Sequence, residues 1–145
     1  MKNAFFPLVA GFLVLWSQSS FAACFNLAKP VYVVGPIRLA MPADTVCTHR
    51  VSRISGGTYY SVRFSDAQGD LAQLASQTES NGRCLNYCKN YILTSGNSNG
   101  QNVNPDNTSV TVTVENSGQG KLDIFYRGNT QSYPLVNAGQ AGSAR

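Results

Sequence analysis

Apolar and polar residues alternate with a period of two along most of the chain after its N-terminal region. Alternation of this kind indicates strands that bury one face, and Gly, Asn and Ser residues between the segments supply the backbone conformations of tight turns. The pattern predicts an all-β, mainly antiparallel domain, a small β-sandwich or barrel built from hairpins. The alternating segments are 46–54, 58–64, 109–115, 121–127 and 132–136.

The hairpin predicted around residues 116–120 has the clearest pattern. Pairing Val112 with Ile124 brings the valines of one strand and the apolar residues of the next onto one face. The same pairing sets Glu115 opposite Lys121, and opposite charges in a cross-strand pair are favourable. We therefore expect this register, because a shift by one residue would turn the apolar side chains outward.

His49 is the only histidine in the chain. Centring the turn of the first hairpin on residues 56–57 places His49 opposite Phe64 and on the same face as Cys47, which predicts a core histidine and not a catalytic base. No two of the seven carboxylates form a motif that predicts a catalytic pair. The sequence predicts that the protein is not an enzyme, and a secreted hydrolase using His49 or a carboxylate pair is the alternative.

The other face of the first hairpin would pair Arg50 directly with Arg63, with Tyr59 on the same face. Like charges opposite each other are unfavourable, so an anion or an acidic partner would stabilise them. Tyrosine adds apolar area with a polar tip, which suits binding. We interpret Arg50, Tyr59 and Arg63 as a candidate binding patch. The simpler alternative is that the guanidinium groups splay into solvent or are covered by Asp66 or Glu79.

The remaining segments have weaker patterns. Residues 70–80 fit either one short helix or an irregular strand, and the second half of 83–93 fits a strand. Residues 95–109 are rich in Asn, Gly and Ser and predict a long exposed loop. We expect a single β-rich domain over 23–136, followed by a disordered tail over 137–145.

Residues 1–22 have the organisation of a secretory signal peptide. Lys2 precedes the apolar stretch 4–16, and the small residues Ser20 and Ala22 provide a cleavage site. The apolar stretch is too short for a transmembrane helix, which needs about 20 residues. The sequence predicts an exported protein, periplasmic or secreted, with no transmembrane segment in the mature chain.

Four cysteines follow the predicted cleavage site: Cys24, Cys47, Cys84 and Cys88. An even number in an exported protein predicts a disulfide framework. We favour connections from Cys84 and Cys88 to Cys24 and Cys47, while the other connectivities stay open. The spacing of Cys84 and Cys88 matches neither redox nor zinc motifs, so we expect no metal and no cofactor. A lipid anchor at Cys24 is an alternative, although the preceding residues fit a lipoprotein signal poorly.

Charge is sparse: 12% of the residues are charged and the formal net charge is +4. Such a balance lacks the clusters of Lys and Arg that nucleic-acid binding requires, so we exclude a nucleic-acid partner. The sequence predicts non-covalent binding to a protein or to an envelope or carbohydrate partner, as in an inhibitor, effector or adhesion module. A structural subunit of a surface assembly is a further alternative, and an unpaired strand edge near residues 133–136 would be its sign.

Overall fold

The computed structural model describes residues 18–53, 57–76, 78–80, 87–98, 100–105 and 107–138. Eleven strands contain most of these residues. They are β1 (Gln18–Val34), β2 (Ile37–Arg53), β3 (Thr58–Asp66), β4 (Gly69–Ser76), β5 (Thr78–Ser80), β6 (Tyr87–Ile92), β7 (Ser95–Ser98), β8 (Gln101–Val103), β9 (Thr108–Val114), β10 (Gly120–Tyr126) and β11 (Asn129–Val136).

The predicted all-β, antiparallel fold is confirmed. The strands follow one hydrogen-bonded order, β5-β6-β9-β10-β11-β1-β2-β3-β4-β7-β8, and the pairings between them are antiparallel. The described ranges contain no α-helix, and the segment for which a short helix was one option is β4. Consequently no helix in this part of the chain could cross a membrane. The sandwich or barrel form stays a prediction.

β11 and β1 join two groups of strands. Within the described residues their register consists of two pairs, Asn26 with Val136 and Leu27 with Leu135. One group is β5, β6, β9, β10 and β11, and the other is β1 to β4 with β7 and β8. Both groups contribute side chains to a single apolar core, whose fully buried members include Val46, Val62, Phe64, Leu74, Val110, Val112 and Leu122.

The register of the β9–β10 hairpin differs from the prediction by two residues. Val112 pairs with Leu122 and not with Ile124. An even shift keeps every side chain on its predicted face, so the apolar face is confirmed. Lys121 pairs with Thr113, and the predicted pair of Glu115 with Lys121 is wrong because Glu115 already belongs to the turn.

The register of the β2–β3 hairpin differs from the prediction by three residues. Val62 pairs with Thr48 and not with Val51. An odd shift exchanges the two faces of one strand relative to the other. The observed register sets Val46 opposite Phe64, and both side chains are fully buried. Burial of this pair in the core explains why the chain adopts this register, since each side chain contributes about 1.5–3 kcal/mol when it leaves water.

One disulfide joins β1 to β2. Cys24 and Cys47 lie directly opposite each other in the antiparallel register, with their Cα atoms 4.0 Å apart, and their sulfur atoms are bonded. The predicted connections from Cys84 and Cys88 to these two cysteines are therefore wrong. Cys84 lies outside the described residues, and Cys88 belongs to β6.

The predicted loop at 95–109 contains two short strands, β7 and β8, which extend the sheet beyond β4. The prediction of a loop is wrong for these residues. Ser, Asn, Gly, Gln and one Val form the two strands without the apolar alternation by which strands are predicted. The Ser98 hydroxyl directs its one hydrogen toward two backbone oxygens, those of Arg38 at 3.2 Å and Leu71 at 3.4 Å. These bonds fix the end of β7 against β2 and β4.

The two ends of the chain bear on the predicted domain limits. Residues 18–22, which the signal-peptide prediction removes, form the start of β1 and pair with residues 49–53 of β2. Ala138, which belongs to the predicted tail, is buried in the core. Residues 1–17 and 139–145 lie outside the described ranges, so the signal peptide and the disordered tail stay predictions.

Candidate functional site

A row of polar side chains crosses the sheet on the face that points away from the core. Arg63 of β3 is opposite Gln73 of β4, Gln73 is opposite Asn97 of β7, and Asn97 is opposite Asn102 of β8. Neighbouring strands lie about 4.8 Å apart, so the row runs across the strands at that spacing. We call Arg63, Gln73, Asn97 and Asn102 the polar row.

One end of the polar row lines a cavity of about 480 Å³, which we call the amide cavity. Four of its eight lining residues carry side-chain amides, and none of the described lining residues is charged. An amide group offers both hydrogen-bond donors and an acceptor. The lining residues are Gln73, Ala75, Ser95, Gly96, Asn97, Asn102, Val103 and Asn104.

The fold holds β7 close to β4 at the floor of the amide cavity. A Cβ atom at Gly96 would lie 3.0 Å from Ile37 Cδ1 and 3.2 Å from Leu74 Cγ, so any other residue there would require these neighbours to move slightly. The backbone N–H of Thr94 donates to the oxygen of Ala75 at 2.9 Å, and the Thr94 hydroxyl donates to the same oxygen. Close packing beneath Gly96 fixes the side chains on either side of it toward the cavity.

A second cavity, of about 310 Å³, lies at the other end of the polar row, and we call it the arginine cavity. The turn between β3 and β4 forms its rim, and the backbone N–H of Gln68 donates to Asp66 Oδ1 at 2.8 Å within that turn. The lining residues are Cys47, His49, Arg63, Ser65, Asp66, Ala67, Gln68, Gly69 and Asp70.

The Arg63 guanidinium bridges two side chains in the arginine cavity. Its Nη1 lies 3.3 Å from Asp70 Oδ2, and its Nη2 lies 2.7 Å from His49 Nε2. A guanidinium can only donate, so His49 Nε2 accepts and the proton of the neutral ring is on Nδ1. The Asp70 side chain is 53% exposed and the Arg63 side chain 27% exposed, so solvent weakens their ion pair.

His49 is 7% exposed. Burial lowers the pKa of its imidazole below the usual 6.5, the Arg63 charge lowers it further, and Asp70 opposes the change. The ring is therefore neutral at neutral pH. His49 Nδ1 and Arg63 Nε are both buried and have no hydrogen-bond partner among the described residues. An unpaired buried donor costs about 1–3 kcal/mol.

The structure brings together only part of the predicted binding patch. Tyr59 and Arg63 alternate in phase along β3 and so share a face, but Arg50 pairs with Tyr60 and lies on the other face of the sheet. The predicted pairing of Arg50 with Arg63 is wrong, because the odd register shift of the β2–β3 hairpin separates them. The roles of Arg50, Tyr59 and Arg63 in binding stay predictions.

His49 is buried near Cys47, as expected, since both line the arginine cavity. It lies opposite Ser61, however, and not opposite the predicted Phe64. Its position is thus on the polar side of the sheet and outside the main core.

Most residues of the two cavities were missed from the sequence. Asp70 and Gln73 belong to the segment that fitted either a helix or a strand, and the asparagines belong to the segment that predicted a loop. No apolar alternation marks Asn97 or Asn102 as strand residues. The described residues include no group of three His, Cys, Asp or Glu side chains arranged to hold a metal ion.

Comparison of the chain with models of protein families, with curated proteins and with solved structures gives no match.

Proposed function

We propose that this protein is an exported domain that binds an uncharged carbohydrate non-covalently in the amide cavity. The observation that carries the proposal is the lining: side-chain amides of β4, β7 and the β8 region surround a cavity of about 480 Å³ without a charged neighbour in the described lining. Volumes of about 300–1,000 Å³ are typical of small-molecule sites.

The chemistry of the amide cavity matches hydroxyl groups. A sugar hydroxyl both donates and accepts, and so does each Asn or Gln side chain. A peptide ligand would need apolar pockets for alternate side chains to gain sequence preference. The lining offers Ala75 and Val103 as its only apolar side chains among the described residues, which favours a carbohydrate over a peptide.

The disulfide supports export. Disulfides persist in oxidising compartments, which agrees with the predicted signal peptide. Bonding of Cys24 to Cys47 also uses the sulfur atom that a lipid anchor would need, so it favours a chain without an anchor.

The geometry around His49 favours binding over hydrolysis. Its Nε2 lone pair already accepts from Arg63, and its Nδ1 is buried. A general base needs a free lone pair within reach of the proton that it removes. Asp66 and Asp70 line one cavity, but each already accepts a hydrogen bond from the chain itself.

An assembly subunit is less well supported. Its expected sign was an unpaired edge near residues 133–136, yet Leu135 and Val136 pair with β1, and the Lys29 ammonium lies 5.5 Å from the centre of the Tyr133 ring. The edge is therefore occupied by the protein's own first strand where the two strands meet.

The experiment is calorimetric titration of the folded, oxidised protein with short uncharged oligosaccharides of hexose and N-acetylhexosamine units. We expect at least one of them to bind and Asn102→Ala to weaken that binding about three- to tenfold, as loss of one hydrogen bond implies. Gln101→Ala is the matched control, because Gln101 is an exposed amide on the same strand that does not line the cavity.

Two results would overturn the proposal. One is that no uncharged oligosaccharide binds to the folded protein. The other is that Gln101→Ala weakens binding as much as Asn102→Ala, which would place the ligand elsewhere on the sheet.

A further inference from the structure

The geometry points to the arginine cavity as a second subsite, which takes the carboxylate of a glycan whose neutral units occupy the amide cavity. The inference rests on the proposed function and extends it, since the uncharged sugar units would belong to a longer glycan that also carries an acidic unit. The two cavities lie on one face of the sheet, and the cross-strand neighbours Gln73 and Arg63 line one cavity each.

The spacing of the polar row suits one extended ligand. Asn102, Asn97, Gln73 and Arg63 come from consecutive strands in the sheet order, β8, β7, β4 and β3. Three strand spacings of about 4.8 Å separate the first from the last. A linear oligosaccharide lying across the strands would contact amides along most of its length and reach the guanidinium at one end.

Arg63 is positioned to pair with a carboxylate. His49 Nε2 accepts from Nη2 at 2.7 Å and holds the guanidinium, while Nη1 faces the exposed Asp70. A planar guanidinium binds carboxylates through parallel N–H groups. Asp70 already contacts the guanidinium through one N–H group, Nη1, and a ligand carboxylate could replace it there.

Two residues that line the arginine cavity each carry a buried N–H group that no described residue accepts. His49 Nδ1 and Arg63 Nε are buried without a partner among the described residues, and His49 itself is more than nine-tenths buried. Buried unpaired polar groups are rare in folded proteins and mark sites where something else completes the hydrogen bonding. A small shift of Arg63 toward a bound carboxylate would bring such donors into use.

Two acidic side chains of the cavity oppose an anion. Asp66 is held in the turn because its Oδ1 accepts from the Gln68 N–H, whereas Asp70 is half exposed and its only ion pair among the described residues is the one with Arg63. The formal net charge of +4 favours approach of an anionic ligand to the whole protein. We therefore expect Asp70 to compete with the ligand, so that its removal strengthens binding.

The test compares two probes by calorimetric titration. One is an uncharged oligosaccharide, and the other is the same oligosaccharide with one hexose replaced by a hexuronic acid. Because the probes differ only in the carboxylate, the ratio of their affinities measures what the arginine cavity contributes to binding. We expect the acidic probe to bind about tenfold more tightly. Arg63→Gln should bring the ratio close to one, and Asp70→Asn should raise it about threefold. Arg50→Gln removes the same charge from the opposite face of the sheet and should leave the ratio as it is.

Asp70→Asn keeps the test informative if Arg63→Gln fails to fold, because its affinity ratio is expected to rise above that of the wild type. Equal affinities for the two probes would overturn this inference while leaving the proposed function intact, whereas failure of both probes to bind would overturn both. Equal losses of the ratio in Arg50→Gln and Arg63→Gln would also overturn it, because they indicate general charge attraction. The glycan class would be wrong if an acidic peptide of equal charge bound as tightly as the acidic probe.

Discussion

The two faces of the β3–β4 hairpin differ in what they do for the protein. Val62, Phe64 and Leu74 point inward and are fully buried in the apolar core, whereas Arg63 and Gln73 alternate with them and point outward. The inner face gains free energy from burial. The outer face keeps a buried imidazole N–H and a guanidinium N–H that have no partner in the part of the chain that the structure describes. One face stabilises the fold, and the other retains polar groups that cost stability and line the proposed binding site.

The largest expected effect is on the inner face. Phe64→Ala removes a fully buried ring and should lower the free energy of unfolding by about 3–5 kcal/mol, because it leaves a cavity in the core. Denaturant unfolding measures the change. A loss below about 1 kcal/mol would show that this face is not the one that stabilises the fold.

The disulfide should have the next largest effect. The double variant Cys24→Ser and Cys47→Ser should lower the free energy of unfolding by about 2–4 kcal/mol, since the bond constrains the unfolded chain. Unfolding of the oxidised wild type and of the variant, each without reductant, gives the difference. If both unfolded at the same denaturant concentration, the bond would not contribute to stability.

A smaller effect concerns the protonation of His49. Its pKa is lowered in the folded protein, so the unfolded chain takes up a proton more readily as the pH falls through about 6.5. The free energy of unfolding should therefore decrease as the pH falls from about 7.5 to about 5.5. The groups that face the ring are Arg63 and Asp70.

The matched variant for this prediction is His49→Gln, which removes the titrating group. Denaturant unfolding at several pH values should show a flatter dependence for His49→Gln than for the wild type. An identical slope in both proteins would contradict the assignment of the effect to His49.

The smallest effect is expected on the outer face. Gln73→Ala should change the free energy of unfolding by less than about 0.5 kcal/mol, because the side chain is half-buried and lies outside the core. Its binding to the uncharged oligosaccharide should nevertheless weaken. A large loss of stability with unchanged binding would reverse the contrast between the two faces.

The predictability of each hairpin from sequence depended on how completely its residues alternate. Val110, Val112 and Val114 leave one apolar face for β9, so a register error of two residues did not affect which side is buried. In β2, residues 45–49 are all buried, and apolar residues occur on both faces. An odd shift of the β2–β3 register therefore leaves apolar residues on the buried face as well. For this reason the sequence pattern places Arg50 and Arg63 on one face, which the structure does not.

The site was harder to predict than the fold for the same physical reason. β7 and β8 consist of Ser, Gly, Asn, Gln and Val, so hydrophobic periodicity gives no signal for them. Their pairing with β4 comes from backbone hydrogen bonds and from the room that Gly96 leaves over Leu74. Hydrophobic periodicity identifies Phe64 as a core residue, but it does not predict that Asn97 pairs with Gln73.

The link between β1 and β11 has a consequence for how the chain matures. Because the first strand completes its pairing with the last, a chain emerging N-terminus first has no partner for Asn26 and Leu27 on that side until Leu135 and Val136 arrive. Contacts between distant parts of a sequence form late and slow folding. Chains shortened before Leu135 should therefore leave this seam open and be sensitive to proteolysis, even with every other hairpin present.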